Sequence, residues 1–312
     1  MKRRIFCVVP AMALLLSLAP AARADGQADL AAGNQALAAG DLDKALGLLT
    51  AAAQLLPQSV EARAALGQAQ LRLGKLDDAM KSYQAVLALS PQHAQAKRVV
   101  EALKGERATF DQKLSYARAL VELQAYPTAR GVLAAMLSEA AEPSQRMAVR
   151  LAIAECALWA NLLPDCQAEA MRVVKESADP AQVAPAKVIA ALGMLATACN
   201  SGYYRPQADQ AAALLKDVGP LAPPWNARLE LVNLSFAAGV DPSKAAEVSA
   251  KLAGPIASIP PGPFRDNLLS RLTPYYLAQA ARRLELGDVA GTMAILWPMV
   301  SEGGLPAADA PL

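Results

Sequence analysis

The chain has 312 residues, of which 54% are hydrophobic and only 4% are aromatic. Its formal net charge is +2, from 30 basic and 28 acidic residues, but Lys2, Arg3, Arg4 and Arg23 all fall within the first 24 positions. Without that segment 26 basic residues face 28 acidic ones, a net charge of −2, so there is no positive excess to bind a phosphate backbone. We therefore expect no nucleic-acid partner.

The first 24 residues have the pattern of a secretory signal peptide. A basic head is followed by an apolar stretch over about residues 5–18, and Ala22-Arg23-Ala24 supplies small residues before a cleavage point. The apolar stretch is shorter than the ~20 residues that cross a bilayer. We expect cleavage after Ala24 and a mature chain in the periplasm or secreted, with an uncleaved anchor as the alternative. We expect no later stretch to be long and apolar enough to cross a membrane.

A repeat of 34 residues follows this segment. Eight residues recur 34 positions later: Gly33, Leu37, Gly40, Leu42, Asp43, Ala45, Leu55 and Pro57 return as Gly67, Leu71, Gly74, Leu76, Asp77, Ala79, Leu89 and Pro91. Self-similarity at this period is typical of a helical repeat array, whose units must stack to bury their apolar faces.

The repeat resembles the tetratricopeptide repeat family, whose pattern asks for a Leu-Gly pair, an Ala, a Phe or Tyr and a Pro. Counted from Val60, these places hold Leu66-Gly67, Ala79, Tyr83 and Pro91. The resemblance covers residues 26–105. It implies an all-α fold in which helical hairpins stack into a right-handed α-α superhelix, and we assign residues 25–105 to these repeats.

Small residues predict how each hairpin is built. Two helices approach closely only where Gly or Ala lets their backbones touch, so we expect tight crossings at Gly33 with Ala45 and at Gly67 with Ala79. Gly40 and Gly74 are expected to end the first helices in the left-handed conformation.

The helix-turn-helix rhythm continues over residues 106–300, which we interpret as degenerate hairpins of the same kind. We expect helices at 92–103, 110–123, 127–140, 147–159, 165–176, 184–200, 207–218, 275–286 and 289–297. Residues 219–224 and 259–263 are expected to be turns, and residues 301–312 a flexible tail.

Catalytic and cofactor motifs are missing from the sequence. The one histidine, His93, follows Pro91 near a predicted helix start, where a surface or capping role is expected. A single histidine and the absence of a C-x-x-C pair argue against a metal site, and no phosphate-binding glycine motif is present. We expect no enzyme, no catalytic residue and no cofactor.

Two cysteines fall on either side of one predicted turn. Cys156 lies five residues before Asn161 and Cys166 two residues after Pro164, so an antiparallel hairpin could bring them face to face. A disulfide would persist in an oxidising compartment, whereas the alternative is a pair of small buried apolar residues. Both readings stay open, with Cys199 as a free thiol.

The family resemblance implies that the first helices line a concave groove for an extended peptide or a partner helix. In this register the candidate groove residues are Gln27, Leu30, Asn34, Glu61, Gln68, Leu71, Arg72, Gln95 and Arg98. One family variant clamps a peptide carboxylate, but Leu30 and Ala65 occupy places where that clamp needs Lys and Asn, so a receptor of that type is not expected.

The sequence therefore favours a non-enzymatic periplasmic scaffold that binds protein partners of the cell envelope, in the assembly of an envelope or secretion complex. The alternative is an accessory or chaperone subunit of an exported enzyme or polysaccharide-export system. A third hypothesis places an enzyme site in residues 106–312, around Tyr203, Tyr204, Trp225 or Trp297. Oligomeric state is left open.

Overall fold

The computed structural model describes residues 10–105, 109–201 and 204–300, with side chains from residue 24 to residue 297. These residues form sixteen α-helices and one 3₁₀ turn (Pro242–Lys244), and no strand occurs among them. The first seven helices are α1 Pro10–Ala39, α2 Leu42–Leu55, α3 Val60–Arg72, α4 Leu76–Leu89, α5 Ala94–Lys104, α6 Phe110–Glu122 and α7 Tyr126–Glu139. The rest are α8 Pro143–Trp159, α9 Leu163–Glu176, α10 Pro180–Ser201, α11 Tyr204–Leu215, α12 Trp225–Val240, α13 Ala245–Ser249, α14 Ala253–Ala257, α15 Pro263–Glu285 and α16 Val289–Val300.

This architecture confirms the expected all-α repeat solenoid of helical hairpins. The predicted tail, residues 301–312, lies outside the described residues, and so does Tyr203. Helix α1 runs from Pro10 through the predicted cleavage point after Ala24.

The chain divides into two compact units, residues 1–128 and 129–312. The boundary lies within α7, whereas the sequence suggested a division after residue 105. The structure places α6 with the first unit because α6 packs on α5, and the Gln68 side-chain amide donates a hydrogen bond to the carbonyl of Leu123 at 3.5 Å. The first unit is thus one helical hairpin longer than the recognisable repeats.

One turn geometry recurs between the two helices of a hairpin. After α3, the Gly74 N–H donates to the Leu71 carbonyl at 2.9 Å and the Lys75 N–H to the Gln70 carbonyl at 2.8 Å, which is a Schellman motif. The same bond pair and a positive φ occur at Gly40, Gly74, Gln124, Asn161 and Gly287. The turn therefore persists in the second unit, where the sequence repeat has faded.

The predicted close crossings exist, but their nearest partners differ from those expected. Ala45 and Ala79 are fully buried, as predicted. However, a Cβ on Gly33 would lie 2.7 Å from Leu49, and one on Gly67 would lie 2.8 Å from the ring of Tyr83. Leu49 and Tyr83 are themselves 34 residues apart, so each glycine makes room for the same large side chain position of its repeat.

The centre of the second unit is α10. By length and composition this helix passes the test for a membrane span, with a mean hydropathy of 1.4 over its 18-residue window, and 61% of that window is buried. Our expectation that no stretch after the leader would pass this test was wrong. A helix that is apolar all round is also typical of a protein core, and α10 packs against α8, α9, α11, α12 and α15.

Two parts of the second unit were not predicted. The sequence gave no helix for α12, and α15 begins at Pro263 rather than at residue 275. Helix α15 continues through Pro274, which is exposed. The other helices were predicted to within a few residues at each end.

Candidate functional site

The sequence placed a partner groove on the first helices of the N-terminal repeats, which are α1, α3 and α5. The structure sorts the nine candidates into three groups by exposure: Gln27, Glu61 and Arg98 are exposed, Asn34, Gln68, Arg72 and Gln95 are half-buried, and Leu30 and Leu71 are buried.

The expectation that Leu30 and Leu71 offer apolar groove contacts was wrong. Leu30 is only 3% exposed and belongs to a core cluster with Ala45, Leu49 and Leu56, while Leu71 is fully buried. The first and second helices of a hairpin cross so closely at the small residues that a leucine on the adjoining turn falls inside the core. These two side chains stabilise the stack and do not reach a partner.

Arg72 also has a structural role. Its guanidinium Nη1 donates a hydrogen bond of 2.7 Å to the Leu37 carbonyl at the C-terminal end of α1. A cation is favourable there because the last carbonyls of a helix carry partial negative charge. Arg72 therefore joins the second hairpin to the first.

A polar network lies behind the exposed face. The Oε1 atom of Gln68 accepts hydrogen bonds from Tyr83 Oη at 3.3 Å and from Gln95 Nε2 at 3.2 Å, and Gln95 Nε2 is also 3.4 Å from Tyr83 Oη. Through its own amide N–H, Gln68 reaches Leu123 after α6. One glutamine thus links α3, α4, α5 and the end of α6.

Burial fixes the chemical state of this network. It raises the pKa of Tyr83 well above its ordinary value of 10.0, so the hydroxyl stays protonated and donates. The ring fits beside α3 because residue 67 is glycine, so the family's glycine and tyrosine positions together place the amide cluster. Groups held by several hydrogen bonds form a rigid platform rather than free ligands.

What remains available to a partner is the first-helix face, defined here as Gln27, Asn34, Glu61 and Arg98. It presents two amides and one charge of each sign. Such groups can bond to backbone N–H and C=O groups and to charged side chains of a peptide, and none of them is a nucleophile. Beside it, α5 and α6 enclose a cavity of about 370 Å³ whose charged lining residues are Glu101 and Asp111.

His93 has the capping role that the sequence suggested. It is the N-cap of α5, and its Nδ1 accepts a hydrogen bond from the Ala96 N–H at 3.2 Å. Within the described parts of the chain, no group of three or more His, Cys, Asp and Glu side chains is arranged to hold a metal ion.

The structure holds Cys156 and Cys166 as buried thiols, with no bond between them. Cys166 Sγ lies 3.9 Å from the carbonyl of Ile189, so it faces α10. Burial raises the pKa of each thiol to about 12. The arrangement is that of buried apolar thiols, and the disulfide stays a prediction.

A buried charge in the second unit was not foreseen from the sequence. The Arg228 guanidinium, on α12, lies 4.7 Å from the ring centroid of Trp159 and 4.5 Å from that of Trp225. Its Nη1 bonds Glu155 Oε1 at 3.3 Å, and its Nε bonds the Ser258 carbonyl. Desolvation lowers the pKa of Arg228, and Glu155 opposes that shift.

These contacts explain two of the aromatics that might have marked an enzyme site. Trp225 stacks on Arg228, and Tyr204 packs on Tyr275 with its hydroxyl 3.6 Å from Cys199 Sγ. Trp297 lies on the surface. No signal in the sequence could have paired Trp159 with Arg228, because 69 residues separate them.

Comparison with known proteins identifies the first unit. The family model described as tetratricopeptide repeat matches residues 36–103. This segment is a pair of tetratricopeptide repeats. The match spans α2 to α5 and therefore contains Gln68, Tyr83, Gln95 and the exposed Glu61 and Arg98. Tetratricopeptide repeats generally bind proteins and are not catalytic, which supports a role in protein interaction.

Curated proteins offer no match to this chain. One solved structure that resembles it is described as "Functional Characterization of Pseudomonas Aeruginosa pilF". The alignment has 16% sequence identity and a TM-score of 0.32, and it covers 91% of this chain and 99% of that one.

Proposed function

We propose that the first unit binds an extended peptide segment of a partner protein across the first-helix face. The observation that carries this proposal is the contrast within one family-matched segment. Gln68 and Gln95 are locked into a network with Tyr83, whereas Glu61 and Arg98 on the same helices are exposed. A rigid, stacked scaffold with exposed polar groups is preorganised to bind a peptide at low entropic cost.

The proposal extends to the cell envelope. A basic head, a short apolar stretch and small residues at 22 and 24 support export with removal of residues 1–24. The contacts of the first hairpin begin just after that point, since a Cβ on Gly26 would lie 2.8 Å from Leu56. Cleavage after Ala24 would leave these contacts intact. The mature chain then acts as a non-enzymatic adaptor for other envelope proteins, in the assembly of an envelope or secretion complex.

Export is tested by N-terminal sequencing of the protein purified from the envelope fraction of its host. The expected mature chain begins at Asp25. A chain that keeps residues 1–24, or that stays with the cytoplasmic fraction, would contradict the proposal.

Binding is tested by a charge exchange on the first-helix face. Glu61→Lys with Arg98→Glu reverses both exposed charges and leaves the net charge unchanged. The matched control is Asp78→Lys with Lys81→Glu, an exposed ion pair on α4 with 3.6 Å between its charged atoms. We expect partners captured from envelope extract by the wild type and by the control to be lost from the first variant. Equal capture by all three proteins would remove this face from the account.

A further inference from the structure

The second unit exposes an apolar surface on its α15–α16 hairpin. Among the described residues, six of the nine exposed large hydrophobic side chains fall between positions 277 and 297. They are Leu277 (46% exposed), Leu284 (57%), Leu286 (78%), Val289 (60%), Met293 (48%) and Trp297 (66%).

These side chains share one side of the hairpin. The Thr292 hydroxyl donates to the Ala280 carbonyl at 3.3 Å, which fixes the sides that α15 and α16 turn towards each other. Each residue of a helix advances about 100° around its axis. Counted from this contact in two antiparallel helices, Leu277 and Leu284 of α15 point to the same side as Val289 and Met293 of α16.

The surface is unusually free of charge. Residues 289–297 of α16 include no charged residue, and every exposed one among them is apolar. From their exposed fractions, the six large side chains present roughly 700 Å² of apolar area, whereas the largest patch on a monomer is about 300–600 Å². A standard protein interface buries about 800 Å² on each partner, so this area matches one side of a dimer.

We propose that this C-terminal apolar face, made of the six side chains with Pro274 and Ala281, is the interface of a two-fold dimer with a second copy of this chain. Pro274, Leu277, Ala281 and Leu284 are all exposed and are spaced by three, four and three residues, which is the a and d pattern of a coiled-coil seam.

The seam is complementary to itself. When two α15 helices cross antiparallel, an a position meets a d position of the other chain. Leu277 then packs against the partner subunit's Ala281, and Leu284 against the partner subunit's Pro274. A large side chain faces a smaller one in each layer, as close packing requires. Homodimer interfaces are also the most apolar class, which fits the chargeless α16.

The test is the oligomeric state of the mature chain, measured by light scattering and sedimentation equilibrium over a wide range of protein concentrations. We expect twice the chain mass. A monomer at every concentration would overturn the proposal, whether residues 301–312, another protein or nothing covers the face. Open-ended polymers would overturn it too, since a two-fold interface closes.

Variants locate the interface. Leu284→Arg and Ala281→Arg each place a charge in the seam twice per dimer and should weaken association by about a hundredfold or more. Leu55→Arg, at a leucine that is 39% exposed on α2, is the control and should leave the dimer intact. Both seam positions are exposed in the monomer, so circular dichroism should show folded variants. A dimer that survives Leu284→Arg and Ala281→Arg unchanged would contradict the assignment.

Discussion

Gly40 and Gly47 lie in one hairpin but serve different purposes. Gly40 has a φ of +80° at the turn between α1 and α2, whereas Gly47 lies inside α2, and an added Cβ at either one would meet no atom within 4 Å. Any difference between alanine substitutions at these sites must therefore come from backbone conformation rather than from packing.

We expect Gly40→Ala to lower the free energy of unfolding by about 1–2 kcal/mol, because an L side chain is strained in the left-handed region. Gly47→Ala should raise it by about 0.5–1 kcal/mol, since alanine costs less chain entropy in a helix. Urea unfolding of the two variants is the measurement. Changes of the same sign would show that Gly40 does not hold the turn.

Gly67 makes room for a ring. A Cβ there would lie 2.8 Å from Tyr83, so Gly67→Val should overpack the crossing of α3 and α4 and destabilise the protein by about 1–3 kcal/mol. The control is Gly131→Val, at an exposed helical position with nothing within 4 Å. Thermal unfolding that ranks the two variants equally would contradict the assigned register.

At this scale the sequence predicted what local chemistry decides. His93 was expected near a helix start and caps α5, and the glycines of the turns have positive φ. Leu30 and Leu71 were placed wrongly, because the repeat register gives a position on the helix but not how closely the neighbouring helix covers it. Arg72 was read as a surface group for the same reason, since its acceptor is a carbonyl 35 residues away.

At the scale of elements, α8 and α12 are joined by the stacked guanidinium of Arg228. Glu155 Oε1 accepts from both Trp159 Nε1 at 3.2 Å and Arg228, so the charge, the two rings and the carboxylate form one unit. The fit depends on a flat cation, which lysine lacks.

We expect Arg228→Lys to lower the free energy of unfolding by about 1–3 kcal/mol through lost stacking and hydrogen bonds. Arg228→Ala should cost about 3–5 kcal/mol, because it also leaves Glu155 without its cation. Tryptophan fluorescence during urea unfolding reports both. Arg172→Lys, at an exposed partner of Glu169, is the control and should be nearly neutral. An Arg228→Lys protein as stable as the wild type would mean that the stacking contributes nothing.

Helix α9 carries a titration that links pH to stability. Burial raises the pKa of Cys166 from 9.0 to about 12. Between these values the unfolded thiol has lost its proton and the folded one keeps it. Stability is therefore complete below pH 9 and falls as the pH rises, by about 1.4 kcal/mol per pH unit for one thiol.

Cys166→Ala should remove this thiol's share of the pH dependence, and the slope of unfolding free energy against pH should become shallower above pH 9. Val173→Ala, a buried site on the same helix with no titratable group, should change stability without changing the slope. Chemical denaturation at several pH values measures both. Parallel slopes for the two variants would contradict the burial of the Cys166 thiol.

Element boundaries were predictable where glycine or proline marks them. The turns at Gly40, Gly74 and Gly287 were read from glycine, whereas Gln124 and Asn161 adopt the same conformation without that signal. The start of α15 was missed because Pro274 normally interrupts a helix. Here Pro274 lies on the exposed side, where the carbonyl that loses its partner faces solvent.

At the scale of the whole molecule, the two units differ in how far their sequences determine them. In the first unit a 34-residue period fixes both the helices and the places where they cross, since the same glycine position meets Leu49 in one repeat and Tyr83 in the next. In the second unit only the hairpin rhythm was readable. Its Arg228 cluster, its buried α10 and its exposed α15–α16 hairpin arise from contacts between distant residues.

The central claim is that a peptide of a partner protein lies on the first-helix face. Site-specific photo-cross-linking in intact cells tests it most directly, with a benzoylphenylalanine placed at Arg98 on that face or at Lys81 on the opposite helix α4. We expect light-dependent adducts with a discrete partner from position 98 and none from position 81. Adducts of equal yield from both positions, or adducts from position 81 alone, would contradict the claim.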